Sequence, residues 1–294
     1  MNKIAVTGSN GMTGRHMLSL LKVKGIPYKG ITRKEWDLNE WKTFSELDYI
    51  FDSVNAIFHF GAQLPKCNIN DEDSQTQQIF DVNIRSSLNL AEWAKSRDIP
   101  IIFISSGVVY MNPHASNIKE TDPKVVNGFG GFYGFSKLLV ERIFDHLSTE
   151  GLKYTILRPS SIYGYGLPSK KLIQNFIEKA SKNEDIIITG HKNEINFIHA
   201  CDVTNAAFQA YKSQAWGIFN ISSNEINTIL DVANIAISIT SSKSKVFLKD
   251  HKNSEKVTRF DLDSDLAKKS FGFEAKINLK EGMTLMKEKL FAPC

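Results

Sequence analysis

The chain has few cysteines and no long apolar run, and these absences exclude several classes of protein. Only three cysteines occur, Cys67, Cys201 and Cys294, and none belongs to a Cys-x-x-Cys pair. Their odd number argues against a disulfide framework or a zinc site, so we expect a reducing compartment and no metal. No segment approaches the ~20 apolar residues of a membrane span, and the N-terminus lacks signal-peptide features. We therefore expect a cytoplasmic protein without a membrane partner.

The chain also lacks a large excess of positive or negative charge. The 294 residues include 36 Lys and Arg against 32 Asp and Glu, a formal net charge of +4, and the basic residues are scattered. Such a balance does not suggest nucleic acid as a partner. With 42% hydrophobic and 23% charged residues the composition is globular rather than disordered.

The first half alternates short apolar runs with helical patterns, which is typical of βαβ units. Apolar runs occur at 4–6, 28–31, 56–60, 101–104 and 155–157, and helical patterns at 14–24, 41–48, 80–97 and 133–150. Helices cover both faces of a parallel sheet, so its strands read as continuous apolar runs. We predict an α/β protein with a Rossmann-type, doubly wound parallel sheet.

The pattern is less regular after residue 165. Helices are predicted at 169–181, 202–211, 229–239 and 279–290, and strands at 185–189 and 217–221. No repeat and no Pro/Gly/Ser linker separates the halves. We predict a dinucleotide-binding domain at 1–165, to which 195–215 returns, and a smaller, interwoven C-terminal lobe at 166–294.

Three glycines lie between the first predicted strand and the first helix. Gly8, Gly11 and Gly14 have the spacing G-x-x-G-x-x-G. A tight turn, close approach to a pyrophosphate and close helix packing each need a residue without Cβ, and a helix N-terminus offers free N–H groups. We interpret this segment as a dinucleotide-binding turn; the alternative is a plain structural turn.

The end of the second strand distinguishes the two nicotinamide dinucleotides. An acidic residue there would hold the ribose 2′-OH of NAD, whereas this chain has Thr32-Arg33-Lys34. A guanidinium can bind a 2′-phosphate through two hydrogen bonds, so the sequence favours NADP, with NAD as the alternative. Arg33 and Lys34 are otherwise solvated surface charges, and Asp37 is placed to touch the adenine or its ribose.

Ser106, Tyr133 and Lys137 form a candidate catalytic group. Tyr133 and Lys137 are four residues apart, which places both on one helix face. An ammonium nearby favours the phenolate, so this pair can move a proton while a nicotinamide moves a hydride. Ser106 follows an apolar strand, where ligands of parallel sheets bind. Taken singly, each residue has a structural explanation; their order behind the glycine turn favours catalysis.

These residues resemble the extended short-chain dehydrogenase/reductase family, in its nucleotide-sugar epimerase, dehydratase and reductase branch. The resemblance runs nearly end to end through the following segments: 7–14, His59-Phe60-Gly61-Ala62, Asn83, 105–110, 133–137 with Glu141, Leu157-Arg158-Pro159, Ile162-Tyr163-Gly164, Phe197-Ile198-His199 with Asp202, 219–221, and Asp263 with 271–273.

The resemblance implies a nicotinamide cofactor, a nucleotide-diphosphate sugar in the cleft between the lobes, and a homodimer formed by two helices of each subunit. It makes the C-terminal lobe the substrate-binding one. Further cofactor contacts implied by the resemblance come from Asn10, Met12, Leu38, Phe60, Gly61, Ala62 and Asn83. Substrate contacts come from Ser106, Gly107 and Arg259.

The chain departs from the family at two places. Dehydratases typically carry Thr-Asp-Glu where this chain has Ser106-Gly107-Val108, which argues against dehydration. Ile195 and Asn196 replace the Arg and Asp before Phe197, which puts one diphosphate contact in doubt. Arg259 resembles a second phosphate-binding arginine, or instead pairs with Asp261 or Asp263.

Two histidines and one cysteine are further candidates. His59 and His199 lie in apolar, strand-like settings, so we interpret both as satisfied core residues rather than catalysts. Cys67 follows the third strand and is placed to approach a sugar, although a lone thiol is more often inert.

Three functions follow from these features. The first is an NADP(H)-dependent reductase of a 4-keto-6-deoxy nucleotide-diphosphate sugar, with Tyr133 as proton donor. The second is an NAD-dependent nucleotide-sugar epimerase. The third is a dinucleotide-sensing protein without turnover, which the presence of Ser106, Tyr133 and Lys137 disfavours.

Overall fold

The computed structural model describes residues 3–65, 75–249 and 257–291. Its first half has the following elements: β1 Lys3–Thr7, α1 Met12–Val23, β2 Tyr28–Ile31, α2 Phe44–Ile50, β3 Val54–His59, α3 Thr76–Ile79, a π-helix Phe80–Arg85, α4 Ser86–Ser96, β4 Ile101–Ile104, a 3₁₀ turn Gly107–Val109, α5 Gly131–Ser148 and β5 Tyr154–Pro159.

The second half contains shorter elements. They are β6 Ser161–Tyr163, α6 Leu172–Ser181, β7 Ile186–Thr189, β8 Glu194–His199, α7 Ala200–Lys212, β9 Gly217–Ile221, β10 Ile226–Thr228, α8 Ile229–Thr240, β11 Val246–Lys249, β12 Thr258–Arg259, α9 Asp265–Phe271 and α10 Leu279–Lys287.

The central sheet has six parallel strands in the order β2-β1-β3-β4-β5-β9. Successive residues of β1 point to opposite faces. Ala5 packs with α2, α4 and α5, whereas Ile4 and Val6 pack with α1, α7 and α9. The predicted α/β fold with a doubly wound parallel sheet is confirmed. The order in which strands are added to the sheet reverses between β1 and β3, and ligands of such sheets bind at that point.

The C-terminal part of the chain contributes both to the layers around the central sheet and to a second, separate core. Helix α7 packs on α1, and β9 forms the last strand of the central sheet. A separate core lies among α6, α8 and α10, beside a small sheet in which β8 pairs with β6, β10 and β12.

Two of the predicted helices start differently in the structure. The helix predicted at 41–48 begins only at Phe44, because Thr43 and Glu46 form a reciprocal capping box. The first six residues of the helix predicted at 80–97 form the π-helix, and α4 starts at Ser86. The short strands β6, β10, β11 and β12 and helix α9 were not predicted, since each depends on long-range pairing or packing.

The cysteine prediction also needs a correction. Cys201 is buried at the start of α7 and is disulfide-bonded, which the odd cysteine count did not predict. Cys67 and Cys294 lie outside the described residues, so the prediction for Cys67 is not addressed. Over 3–65, 75–249 and 257–291, no helix is long and apolar enough to cross a membrane.

Candidate active site

The glycine turn connects β1 to α1 with very close backbone packing. Gly8 has φ +64°, and a Cβ on it would be 2.7 Å from the backbone of Gly61. A Cβ on Gly14 would be 2.2 Å from the carbonyl oxygen of Gly8. Both positions therefore require glycine, and they bring the first turn of α1 against the ends of β1 and β3.

The N-terminus of α1 fits the phosphates of a dinucleotide. Its N-cap, Gly11, provides no side-chain cap, and its first turn contains no acidic residue. A Cβ on Gly11 would have only the Gly8 oxygen within 4 Å, at 3.1 Å. The space above Gly11 is open and the first N–H groups of the helix are available to an anion. Asn10 and Met12 flank Gly11 in this turn.

The loop after β2 folds back on itself. The Glu35 carboxylate accepts hydrogen bonds from the Thr32 amide at 2.8 Å and from its hydroxyl at 2.6 Å. These bonds lower the pKa of Glu35. Arg33 and Lys34 are exposed between them. The sequence alone did not indicate Glu35 as an acidic group at the end of β2. Glu35 lies three residues after Thr32, and only this turn brings its carboxylate back to the strand end.

Two further residues predicted to contact the cofactor, Asp37 and Leu38, lie farther along the same loop. The Asp37 carboxylate accepts from the backbone and side-chain amides of Asn39 at 3.0 and 2.9 Å. A Cβ on Gly61 would be 2.7 Å from a methyl carbon of Leu38. The loop therefore lies beside the segment that follows β3.

The segment after β3 is held by Thr7. The hydroxyl oxygen of Thr7 accepts the amides of Phe60 and Gly61, each at 3.2 Å. Phe60, Gly61 and Ala62 thus lie next to Gly8, at the point where the strand order reverses.

Asn83 lies in the π-helix with both amide atoms bonded to protein groups. Its Oδ1 accepts the Gln63 amide at 2.7 Å, and its Nδ2 donates to Ser136 Oγ and to the Gln63 carbonyl, each at 3.1 Å. Ser136 in turn donates to the Tyr133 carbonyl at 2.7 Å. Asn83 therefore joins the loop after β3 to the helix that carries Tyr133. Single-turn π-helices are frequent at functional sites.

Ser106, Tyr133 and Lys137 lie around the carboxyl end of β4. Ser106 caps the 3₁₀ turn, with Val108 donating weakly to its hydroxyl at 3.4 Å. A Cβ on Gly134 would be 3.3 Å from the Val108 carbonyl, so the first turn of α5 packs directly on that turn. Lys137 Nζ donates to the Ile104 carbonyl at 2.8 Å and lies 5.8 Å from the centroid of the Tyr133 ring.

Burial governs the protonation of Tyr133 and Lys137. Desolvation raises the pKa of Tyr133 well above its usual range. Burial lowers the pKa of Lys137 to about 7, and Glu141 opposes that shift. The expected lowering of the Tyr133 pKa by Lys137 is therefore not seen, and the shift is the upward one that burial causes. The phenol keeps its proton at neutral pH.

A buried ion pair supports the end of β4. The guanidinium of Arg158 bonds both oxygens of Glu141, at 2.6 and 3.0 Å. The same carboxylate accepts the Ser105 hydroxyl at 2.5 Å. Ser105 precedes Ser106, so this pair fixes the position of the candidate catalytic serine.

Arg259, a predicted substrate contact, lies in β12, and Phe260 follows it. The Phe260 ring packs on Gly107, and its backbone has φ +58°, an unusual conformation for an aromatic residue. Arg259 stacks on Phe129 at 5.2 Å, and its buried Nε has no hydrogen-bond partner. Neither Asp261 nor Asp263 pairs with it within the described residues; their carboxylates accept backbone amides instead.

Ile195 and Asn196, the two residues before Phe197 that depart from the family pattern, have a structural role. Asn196 is buried; its Oδ1 accepts the Ser160 hydroxyl at 2.6 Å, and its Nδ2 donates to the carbonyls of Ser223 and Glu225. Ile195 lies in β8, paired with Arg259 of β12. Neither side chain offers a cation to a diphosphate.

The two strand-end histidines are buried and uncharged. His199 Nδ1 accepts the Cys201 amide at 3.2 Å and caps α7, while its Nε2 has no partner. Burial lowers the pKa of both His59 and His199 to about 3.

Comparison with known proteins identifies relatives of similar size. A model described as the NAD dependent epimerase/dehydratase family matches residues 4–222. A protein of Methanocaldococcus jannaschii with the provisional name UDP-glucose 4-epimerase is 30% identical over 246 residues, which cover 79% of this chain and 76% of that protein.

Two solved structures share the fold. The UDP-glucose 4-epimerase of Thermotoga maritima, solved with UDP-glucose, has a TM-score of 0.83 and 22% identity over 98% of both chains. RMD from Pseudomonas aeruginosa, solved with NADPH, has a TM-score of 0.83 and 18% identity over 98% of both chains.

Proposed function

The chain belongs to the NAD dependent epimerase/dehydratase family, and on that premise we propose that it is an NADP(H)-dependent reductase of a 4-keto-6-deoxy nucleotide-diphosphate sugar. More broadly, it is an NAD(P)-dependent enzyme of the type that acts on nucleotide sugars. The proposal concerns the reaction, the cofactor and the sugar.

The protonation of Tyr133 carries the proposal. Reduction of a ketone needs a proton donor beside the oxygen that becomes an alkoxide, and a buried phenol with a raised pKa holds that proton. Nicotinamide, when bound, supplies the hydride. After the proton has passed to the sugar oxygen, Lys137 one helical turn away stabilises the phenolate, which regains a proton from solvent. Ser106 would orient the carbonyl through its hydroxyl.

Three further observations favour reduction over dehydration, NADP over NAD, and a deoxy sugar. The turn Ser106-Gly107-Val108 contains no carboxylate to serve as the acid or base that elimination of water needs. Arg33 and Lys34 are exposed at the end of β2, where a 2′-phosphate would lie. The ring of Phe260 beside Gly107 offers an apolar wall, which suits a deoxy sugar.

An NAD-dependent epimerase is the second candidate. The Glu35 carboxylate is bound at the end of β2, where an acidic group could accept a ribose hydroxyl. The M. jannaschii relative also carries an epimerase name. In such an enzyme Tyr133 would first accept a proton and then return it.

We also propose a homodimer through α4 and α5. A shallow groove of about 290 Å³ between these helices is lined by Leu88, Leu139 and Ile143, with Glu92 and Arg142 also in its lining. Side chains of both signs allow the surface to pair with a second copy of itself, as the family resemblance implies.

Isotope transfer tests the proposed reaction. The protein is incubated with a 4-keto-6-deoxy nucleotide sugar and NADPH that carries deuterium at the transferred position. The proposal predicts one deuterium at the former carbonyl carbon of the product. An unlabelled 4-epimer, formed from a fully hydroxylated sugar without added dinucleotide, would support the epimerase instead.

A further inference from the structure

His59 is a buried histidine with both ring nitrogens bonded to hydroxyl groups. It is fully buried at the end of β3. Its Nδ1 lies 2.7 Å from Thr7 Oγ1 and its Nε2 lies 3.0 Å from Ser87 Oγ. The ring therefore connects the strand that ends in the glycine turn to the first turn of α4.

The other bonds of these hydroxyls fix the direction of each hydrogen bond. Thr7 Oγ1 already accepts the amides of Phe60 and Gly61, so its single hydrogen is donated to His59 Nδ1. Ser87 donates its hydrogen to the Asn83 carbonyl at 2.5 Å, so its oxygen accepts from His59 Nε2. Both ends of the ring select the same neutral tautomer, with the proton on Nε2.

The chain of bonds leads to the candidate catalytic helix. Asn83 lies in the π-helix, and its side chain donates to Ser136 Oγ, which donates to the Tyr133 carbonyl. Two sets of hydrogen bonds thus meet at Asn83, one at its backbone carbonyl and one at its side chain, and together they connect Thr7, beside the glycine turn, to the residue proposed to supply the proton.

We propose that His59 is a positioning residue, which holds the π-helix and Asn83 in register with the glycine turn and so sets the placement of Tyr133. The inference rests on the proposed function for its effect on turnover. His59 acts only as a neutral ring, because a proton on Nδ1 would oppose the Thr7 hydroxyl. Burial and the Lys137 ammonium keep the ring neutral, since both lower its pKa.

Two adjacent serines provide a matched test. Ser86 and Ser87 are both buried, and each donates to the carbonyl four residues earlier at 2.5 Å. Only Ser87 also contacts His59. Ser86→Ala and Ser87→Ala therefore each remove an equivalent intrahelical bond. Only Ser87→Ala also removes the hydrogen bond to His59.

The first arm is kinetic. Ser87→Ala should lower kcat by about three- to ten-fold, the effect of one lost hydrogen bond, with little change in the KM for dinucleotide. Ser86→Ala should change kcat less than about two-fold, and Ser87→Thr should restore it. Equal losses of kcat in the two alanine variants would overturn the proposal.

The second arm needs no substrate, so it separates failure of this inference from failure of the proposed function. Nitrogen-15 NMR of wild type should show His59 protonated on Nε2. The side-chain amide resonances of Asn83 should shift in Ser87→Ala and not in Ser86→Ala. A proton on Nδ1, or identical Asn83 shifts in both variants, would overturn the inference whether or not the protein reduces a keto sugar.

Discussion

The ring of Phe260 occupies the space that a side chain on Gly107 would need. A Cβ on Gly107 would be 3.1 Å from Phe260 Cδ1 and 3.4 Å from both Leu262 Cδ1 and the Pro159 carbonyl. The absence of a side chain at position 107 therefore sets how closely the aromatic ring approaches the turn that begins at Ser106.

Gly107→Ala should alter the sugar side of the site and leave the dinucleotide side intact. The added methyl displaces the Phe260 ring by a few tenths of an ångström, so we expect kcat/KM for the sugar to fall roughly three- to ten-fold. Steady-state kinetics and dinucleotide titration measure the two effects separately. A comparable loss of dinucleotide affinity would show that the substitution disturbs the whole site.

Tyr133→Phe tests the proton donor. General acid catalysis typically contributes 10²–10⁴-fold, so we expect turnover to fall by about that factor. The dinucleotide Kd should change less than about two-fold, because the ring is retained. Turnover close to that of wild type would remove Tyr133 from the mechanism.

Arg33→Ala tests the choice of dinucleotide. Loss of a charge-assisted bond to the 2′-phosphate costs about 1.5–3 kcal/mol, or roughly ten- to a hundred-fold in Kd for NADPH. The Kd for NADH should not change. Lys22→Ala, which removes an exposed charge from the other end of α1, is the control. Tighter binding of NADH than NADPH by wild type would contradict the assignment and favour a role for Glu35.

The pH dependence of stability should report the burial of Lys137. Its pKa falls from 10.5 to about 7 on folding. Between these values the unfolded chain binds a proton that the folded chain lacks, so the free energy of unfolding rises with pH. The penalty is complete below about pH 7 and is relieved by about pH 10.5.

Between these pH values the free energy of unfolding should therefore rise less for Lys137→Met than for wild type. It is measured by denaturant unfolding without added dinucleotide. Lys22→Met is the exposed control and should follow the wild-type curve. Parallel curves for Lys137→Met and wild type would show that Lys137 stays charged in the folded protein.

Local patterns predicted the parts of the site that depend on neighbours in sequence. The glycine turn follows from Gly8, Gly11 and Gly14, and the shared helix face of Tyr133 and Lys137 follows from their spacing. The apolar runs were sufficient to predict the parallel sheet, because short continuous apolar runs that alternate with helical patterns are typical of strands covered by helices on both faces.

Features that depend on distant contacts were not predictable. The π-helix that contains Asn83 is stabilised by bonds to Gln63 and Ser136, which lie 20 and 53 residues away in sequence. Phe260 lies 153 residues after Gly107, and contacts between distant parts of the chain hold it there; one of them is the bond from the Phe260 amide to the Pro113 carbonyl at 2.9 Å. The pKa of Tyr133 rises because of burial, which spacing alone cannot reveal.

The stoichiometry of the reaction tests the central claim most directly. A 4-keto-6-deoxy nucleotide sugar is mixed with the protein and NADPH, and loss of reduced-nicotinamide absorbance is compared with product formed. A reductase must consume one NADPH for each sugar reduced, because its hydride stays on the product. Interconversion of fully hydroxylated sugar epimers without net loss of NADPH, together with no reaction of keto sugars, would contradict the account.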